Sequence, residues 1–251
     1  MDKLEEMIAY KREEIKPRLR PVSEKELGRL KSRRLQREFF LSHTIKKTSH
    51  LAVIAEIKRR SPSAGEIAST AHAVEQARLY LNAGVDALSV LTDTPFFGGE
   101  MQDLWDVVDF LGTRSNPPPV LRKDFMLHPI QVVDAAEAGA SAILIIVRAL
   151  DDDDIKALHE AAKHTGLDAL FEIHDQNELD RALKHQPHLI GVNNRDLSTF
   201  ETHLDTSETL LPMVPESVCA ISESGIATPE DAHRVREAGA SAILVGESLM
   251  R

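Results

Sequence analysis

The chain has 251 residues, 40 acidic and 30 basic, for a formal net charge of −10. That balance argues against a general nucleic-acid or polyanion binder, and one cysteine, Cys219, excludes an internal disulfide framework. No apolar run reaches the ~18 residues of a membrane helix and MDKLEEMIAYKREE holds no signal-peptide core, so a soluble cytoplasmic protein is expected.

Residues 1–48 carry no strand pattern. Leu4, Met7, Ile8 and Ile15 mark one face of an amphipathic helix that Pro17 ends. Ser23 and Glu26 have capping-box spacing before a second helix running to about Gln36. Lys31, Arg33 and Arg34 read as its solvated face. This segment is expected to be an N-terminal helical extension, with the main domain from 49 to 251.

From Leu51 onward strand, turn and helix repeat. Strands are expected near 51–57, 86–91, 119–122, 141–147, 168–173, 188–193, 217–222 and 241–246. Helices are expected near 72–83, 101–111, 129–138, 152–164, 176–184, 206–213 and 229–238. Alternation of this kind implies a parallel sheet. Eight strands in a chain of this length favour a (β/α)8 TIM barrel of roughly 250 residues. EAGASAIL occurs at Glu137–Leu144 and again at Glu237–Leu244, with NAGVDAL at Asn82–Leu88 as a weaker copy. Recurrence in even-numbered units fits a barrel assembled from (βα)2 modules.

In LAVIAEIKRRSPSAG, Glu56 and Lys58 are two apart at a strand end and so share a face. They form either a structural ion pair or a catalytic pair at the carboxyl end of a barrel strand, where such enzymes keep their chemistry. The other strand ends decide for chemistry. The first also brings Ser61, the second the stretch SVLTDTPFFGG with Phe96 and Phe97, the third Lys123 and the fifth Glu172. The sixth brings Asn193 and Arg195, the seventh Glu223, Ser224 and Gly225, and the eighth Gly246, Glu247 and Ser248. Stability alone does not explain polar groups at seven of eight ends. His174 reads as a supporting or solvated residue and Cys219 as a small core residue.

The turns after strands seven and eight are where barrels commonly bind phosphate on backbone N–H groups. The eleven histidines are scattered, with no HxH or HExxH, and there is no dinucleotide fingerprint. What is left is acid–base chemistry, without metal or cofactor, on a small phosphorylated substrate.

Seven ordered motifs, IAEIKRRSPS, VLTDTPFFGG, VLRKDF, FEIHD, IGVNNRDL, SESGI and ILVGESLMR, resemble the indole-3-glycerol phosphate synthase family of tryptophan biosynthesis from Leu51 to Arg251. The resemblance implies a carboxy-lyase. It would close the indole ring of 1-(2-carboxyphenylamino)-1-deoxyribulose 5-phosphate with loss of CO2 and water. By matching motif positions it implies catalytic places for Glu56, Lys58, Lys123, Glu172, Asn193 and Glu223. Lys123 suits the ring-closure acid. Glu172, Lys58 and Glu56 remain candidates for the dehydration. Arg195 would orient substrate, and Phe97 with Leu144 or Ile145 would pack its aromatic ring. Ser61, Ser224, Gly225, Gly246 and Glu247 would surround the phosphate, with the Glu247 carboxylate turned away.

The alternatives are a weakly active or non-catalytic phosphate-binding barrel, and a phosphoribosylanthranilate isomerase-like barrel. The second would want a cysteine base at the first strand, which has none. Family members continue past the position of Arg251 into an eighth barrel helix, so the outward apolar residues of strands eight and one are expected to lose cover. Ala242, Leu244, Ala52 and Ile54 are candidates, their sides unassigned. A less stable chain, monomeric or weakly dimeric, is the expectation.

Overall fold

The computed structural model describes residues 3–34, 38–62, 65–196, 199 and 201–250. Eight parallel strands close into a barrel: β1 (Ala52–Ile57), β2 (Ala87–Leu91), β3 (Val120–Lys123), β4 (Ala142–Ile146), β5 (Asp168–Ile173), β6 (Leu189–Asn193), β7 (Cys219–Glu223) and β8 (Ala242–Val245). Each pairs with its sequence neighbours, and β8 returns to β1 with Ala52 opposite Ala242 and Ala55 opposite Val245. The expected (β/α)8 barrel is present, every strand within two residues of its predicted bounds.

The helices are α1 (Lys3–Ile15), α2 (Glu24–Arg33), α3 (Phe40–Lys47), α4 (Ala73–Ala83), α5 (Thr94–Phe97), α6 (Met101–Gly112), α7 (Pro129–Glu137), α8 (Asp152–Thr165), α9 (Gln176–Leu183), α10 (Asp205–Leu210), α11 (Pro229–Glu237) and α12 (Glu247–Met250). Ser23 accepts the N–H of Glu26, the cap its spacing predicted. The expected end of α2 near Gln36 lies outside the described residues. Pro17 does stop α1, whose last turn tightens into a 3-10 turn at Lys16–Arg18.

Residues 1–48 also hold α3, which the sequence did not announce. It has eight residues, no side-chain cap and a left-handed Phe39 (φ 50°) before it. Leu41 and Ile45 bury against Ala52, Leu189, Cys219 and Ala242, at the amino ends of the strands. At the opposite end, Leu4, Met7 and Ile8 of α1 join the same interior cluster. The N-terminal segment thus touches both ends of the barrel.

Strand alternation separates inside from outside. Ala52, Ile54, Ala242 and Leu244 are interior residues, fully or almost fully buried. Their expected outward exposure is therefore wrong, and the residues facing the helices are Ala55, Ile243 and Val245. Both registers of β1 and β8 are apolar, so their sequences could not assign the sides.

Candidate active site

One layer of the interior is charged instead of apolar. Glu56, Lys123, Glu172 and Glu223 come from the alternate strands β1, β3, β5 and β7, which is how barrel layers are built. Lys123 Nζ donates to Glu172 Oε2 at 3.2 Å and to Glu223 Oε2 at 2.9 Å. Above Glu56, Lys58 Nζ lies 3.1 Å from its Oε1. The shared face of Glu56 and Lys58 is as predicted.

Two glycines make room for this layer. A Cβ on Gly191 would sit 2.0 Å from Glu223 Oε1, and one on Gly246 would sit 2.8 Å from Glu56 Oε1 and 3.3 Å from Lys58 Nζ. Gly191 went unread because its role is set by a side chain on the neighbouring strand.

Two ammonium groups face three carboxylates, so one negative charge is in excess. Burial pushes every carboxyl up. At Glu56 the ammonium groups of Lys58 and Lys123 outweigh burial and hold the group below its ordinary range. At Glu172, Lys123, His174 and an Asn193 hydrogen bond do the same. Glu223 carries the excess: burial outweighs Lys123, Glu172 adds repulsion, and its carboxyl is pushed up to about 7. Burial opposes the Lys123 ammonium, but Glu223, Glu172 and Glu56 overcome it and push its pKa up.

A carboxyl with a raised folded pKa binds its proton more tightly in the folded chain. Its stabilisation is full below the ordinary 4.5 and is lost as pH rises to about 7. Glu56 and Glu172, held low, act in the opposite sense and below that window. Glu223→Gln is therefore expected to remove a fall in stability between about pH 4.5 and 7. Urea midpoints across that range check it; parallel profiles for parent and variant would contradict it.

The layer floors a cavity of about 490 Å3 at the carboxyl ends of the strands. All thirteen residues expected from the sequence line it: Glu56, Lys58, Ser61, Phe97, Lys123, Glu172, Asn193, Arg195, Glu223, Ser224, Gly225, Gly246 and Glu247. Leu144 lines it too, whereas Ile145, the other residue considered for ring packing, faces the helices. Phe97 sits in α5, capped by the Asp93 side chain on the Phe96 N–H. Arg59 and Arg60 hold that loop from the β1 side, through the carbonyls of Gly98 and Thr94. Ser224 and Gly225 are consecutive left-handed residues, φ 65° and 77°. Glu247 Oε2 lies 3.7 Å from the Arg195 guanidinium.

Besides Gly191, the residues missed include two on α1. Met7 reaches the cavity, and one turn later Lys11 is buried, 3.2 Å from Asp93 and 3.0 Å from Asp124. Asp124 also accepts from Arg122 and Thr92. The three acidic partners of Lys11, which include Glu14, push its ammonium pKa up despite burial.

The family model for indole-3-glycerol phosphate synthase matches residues 4–251. The chain belongs to the indole-3-glycerol phosphate synthase family. It is an enzyme, a carboxy-lyase. The indole-3-glycerol phosphate synthase of Opitutus terrae is 58% identical over 250 residues, covering 100% of this chain and 94% of that protein. The synthase of Hyphomonas neptunium is 42% identical over 250 residues, covering 99% and 92%. Among solved structures, an N-acetylmannosamine-6-phosphate 2-epimerase from Clostridium perfringens aligns with a TM-score of 0.63 at 13% identity, covering 82% of this chain and 90% of that one. It shares the fold alone.

As a family member the chain is a lyase of tryptophan biosynthesis, and the isomerase-like alternative is not favoured. Cys219 lies at the foot of β7, its Sγ 3.9 Å from the Ser42 carbonyl oxygen, at the end of the barrel away from the cavity. No helix among the described residues is long and apolar enough to cross a membrane.

Proposed function

We propose that Lys123, Lys58 and Glu172 perform the acid–base steps of indole-ring closure on 1-(2-carboxyphenylamino)-1-deoxyribulose 5-phosphate. The observation that carries this reading is the charged layer with one excess negative charge beneath a partly apolar cavity. The aromatic carbon attacks the ketone, and the Lys123 ammonium protonates the developing oxyanion. The cationic ring intermediate is itself the electron sink for decarboxylation, so CO2 leaves without a further group.

Dehydration then needs an acid and a base, and the pairing of each carboxylate with its lysine separates the candidates. Glu223, pushed up to about 7, still holds part of its proton there. Glu56 stays paired at 3.1 Å with Lys58, the acid of this step, whereas Lys123, which holds Glu172 at 3.2 Å, has given its proton to the oxyanion at ring closure. Glu172 takes the proton lost from the ring, while the Lys58 ammonium protonates the departing hydroxyl, which leaves as water. Phe97 and Leu144 pack the aromatic ring. Asn193 and Arg195 orient the hydroxyls and carboxylate. Mixing the chain with substrate should produce indole fluorescence in step with CO2 release. A phosphate-binding barrel without catalysis would give neither.

The phosphate belongs between the β7 and β8 ends, on backbone N–H groups around Ser224, Gly225 and Gly246, with Ser61 opposite. Gly246 is a poor place to test this, because any side chain there meets Glu56 and Lys58. Ser224→Asp is better, since aspartate tolerates a left-handed backbone. A carboxylate ~4 Å from phosphate costs between ~1 and ~4 kcal/mol per unit charge, so KM should rise at least ~10-fold. Inorganic phosphate should compete with substrate for the parent and lose that effect in the variant. An unchanged KM would displace the site. A cytoplasmic location fits the reading, since the lone thiol of Cys219 is free and buried.

A further inference from the structure

Beside Glu172, and not among the residues that line the cavity, stands a second chain of charges that the ring closure does not use. His174 follows Glu172 by two residues and its side chain is only 4% exposed. Its Nδ1 lies 3.1 Å from Glu178 Oε2, and its backbone N–H donates to that same oxygen at 2.8 Å. An ionised carboxylate only accepts, so this contact places the Nδ1 proton on the imidazole. Glu178 is kept ionised: burial pushes it up, but hydrogen bonds from His174 and from Arg148 Nε, at 2.6 Å, outweigh that. The other ring nitrogen, Nε2, is buried, has no hydrogen bond among the described residues and faces Glu172 Oε1 at 3.7 Å.

The charged and titratable groups around this imidazole come from four elements. Glu172 shares its strand, and Lys123 stands beyond Glu172 on β3. Glu178 reaches it from α9. Arg148, from the 3-10 turn after β4, backs Glu178 and lies 3.6 Å from Asp175. Asp175 is half exposed, so the line runs from Glu172 at the cavity floor through His174, Glu178 and Arg148 to Asp175 at solvent.

We propose that His174 is a positioning residue for the ring closure, taking the proton that Glu172 acquires and returning Glu172 to its carboxylate. This rests on the reading of Glu172 as the dehydration base. In that step Glu172 gains the proton lost from the ring while substrate covers its cavity side. The O–H bond of the Glu172 carboxyl then breaks and an Nε2–H bond forms, the electron pair staying on Oε1. The imidazolium stands between the restored Glu172 carboxylate and that of Glu178. Nothing is oxidised or reduced. Hydrogen bonds of this kind are often long without substrate and tighten with it, which suits the 3.7 Å separation.

The test is kcat and KM from pH 5 to 9 for the full chain and for Glu172→Gln, His174→Gln, Glu178→Gln and the His174→Gln/Glu178→Gln double variant, with urea midpoints to establish folding. Glutamine at 174 keeps hydrogen bonding but cannot hold the proton. Glu172→Gln should lose at least ~10²-fold in kcat. His174→Gln should lose about tenfold, less than the acid–base group itself, with KM within about twofold. The shape of the kcat profile across pH 5 to 9 should differ from the parent's. Glu178→Gln should act in the same direction, and the double variant should be no worse than the larger single, as groups in one line couple. A folded His174→Gln with parental kcat and pH profile overturns the proposal. Should that variant not fold, a parental profile for Glu178→Gln does so equally. If Glu172→Gln itself keeps near-parental turnover, the base assignment fails and the proposal with it. An inactive Glu172→Gln beside a parental His174→Gln removes His174 alone.

Discussion

Lys123→Met is expected to lower kcat by at least ~10²-fold, the low end for losing a general acid, while KM changes by less than about threefold. The methionine keeps the stem that fills the barrel interior, so the loss reads out the ammonium. Its removal leaves Glu172 and Glu223 without their cation at 3.2 and 2.9 Å. Both carboxyls should then protonate at higher pH, and residual activity should move with them. The phosphate turns and the Phe97 side of the cavity are untouched, which is why binding should survive. Steady-state kinetics across pH check this, and near-parental kcat would remove Lys123 from the chemistry.

The second large effect concerns stability. Lys11→Met should destabilise the chain by ~3–5 kcal/mol, the cost of leaving a buried charge without its partner. Asp124 would keep Arg122 at 2.9 Å, but Asp93 would lose its ion-pair partner and keep only the Phe96 N–H. Burial already outweighs Lys11 at Asp93 and pushes its carboxyl up, so loss of the ammonium should tip it toward the neutral acid. Asp93 also caps α5, and Tyr10 packs edge-on against Phe96 at 5.8 Å. The seat of α1 and the position of Phe97 should therefore loosen together. Against a total stability of ~5–15 kcal/mol, the urea midpoint should fall visibly, and KM should rise. An unchanged midpoint would show that Leu4, Met7 and Ile8 alone hold α1.

Much of this architecture was legible in the sequence because barrel geometry is periodic. Alternation at Glu56 and Lys58 gave their shared face, and the strand-end position of Lys123, Glu172 and Glu223 gave one mouth for all of them. What stayed hidden depends on distant partners. In MDKLEEMIAYKREE, Lys11 looks like one solvated charge among many; only folding brings Asp93 and Asp124 to it. Helix α3 is short, uncapped and begins after a left-handed Phe39, so it lacks the start signals that betrayed α2. Ala52 and Ile54 could not be assigned to the inside, because Val53 and Ala55 are just as apolar. His174 reads as either a supporting or a solvated residue, and only the fold shows it buried beside Glu172.

The central claim is that the Glu56–Lys123–Glu172–Glu223 layer faces the reacting carbons, with phosphate at the β7 and β8 turns and the ring at Phe97. A crystal structure of the chain with indole-3-glycerol phosphate tests it most directly. The phosphate should lie on the backbone of Ser224, Gly225 and Gly246, the indole against Phe97 and Leu144, and the newly formed ring bond above Lys123 and Glu172. Product bound in the reverse orientation, with its phosphate beside Phe97 and its ring at Ser224, would contradict the account.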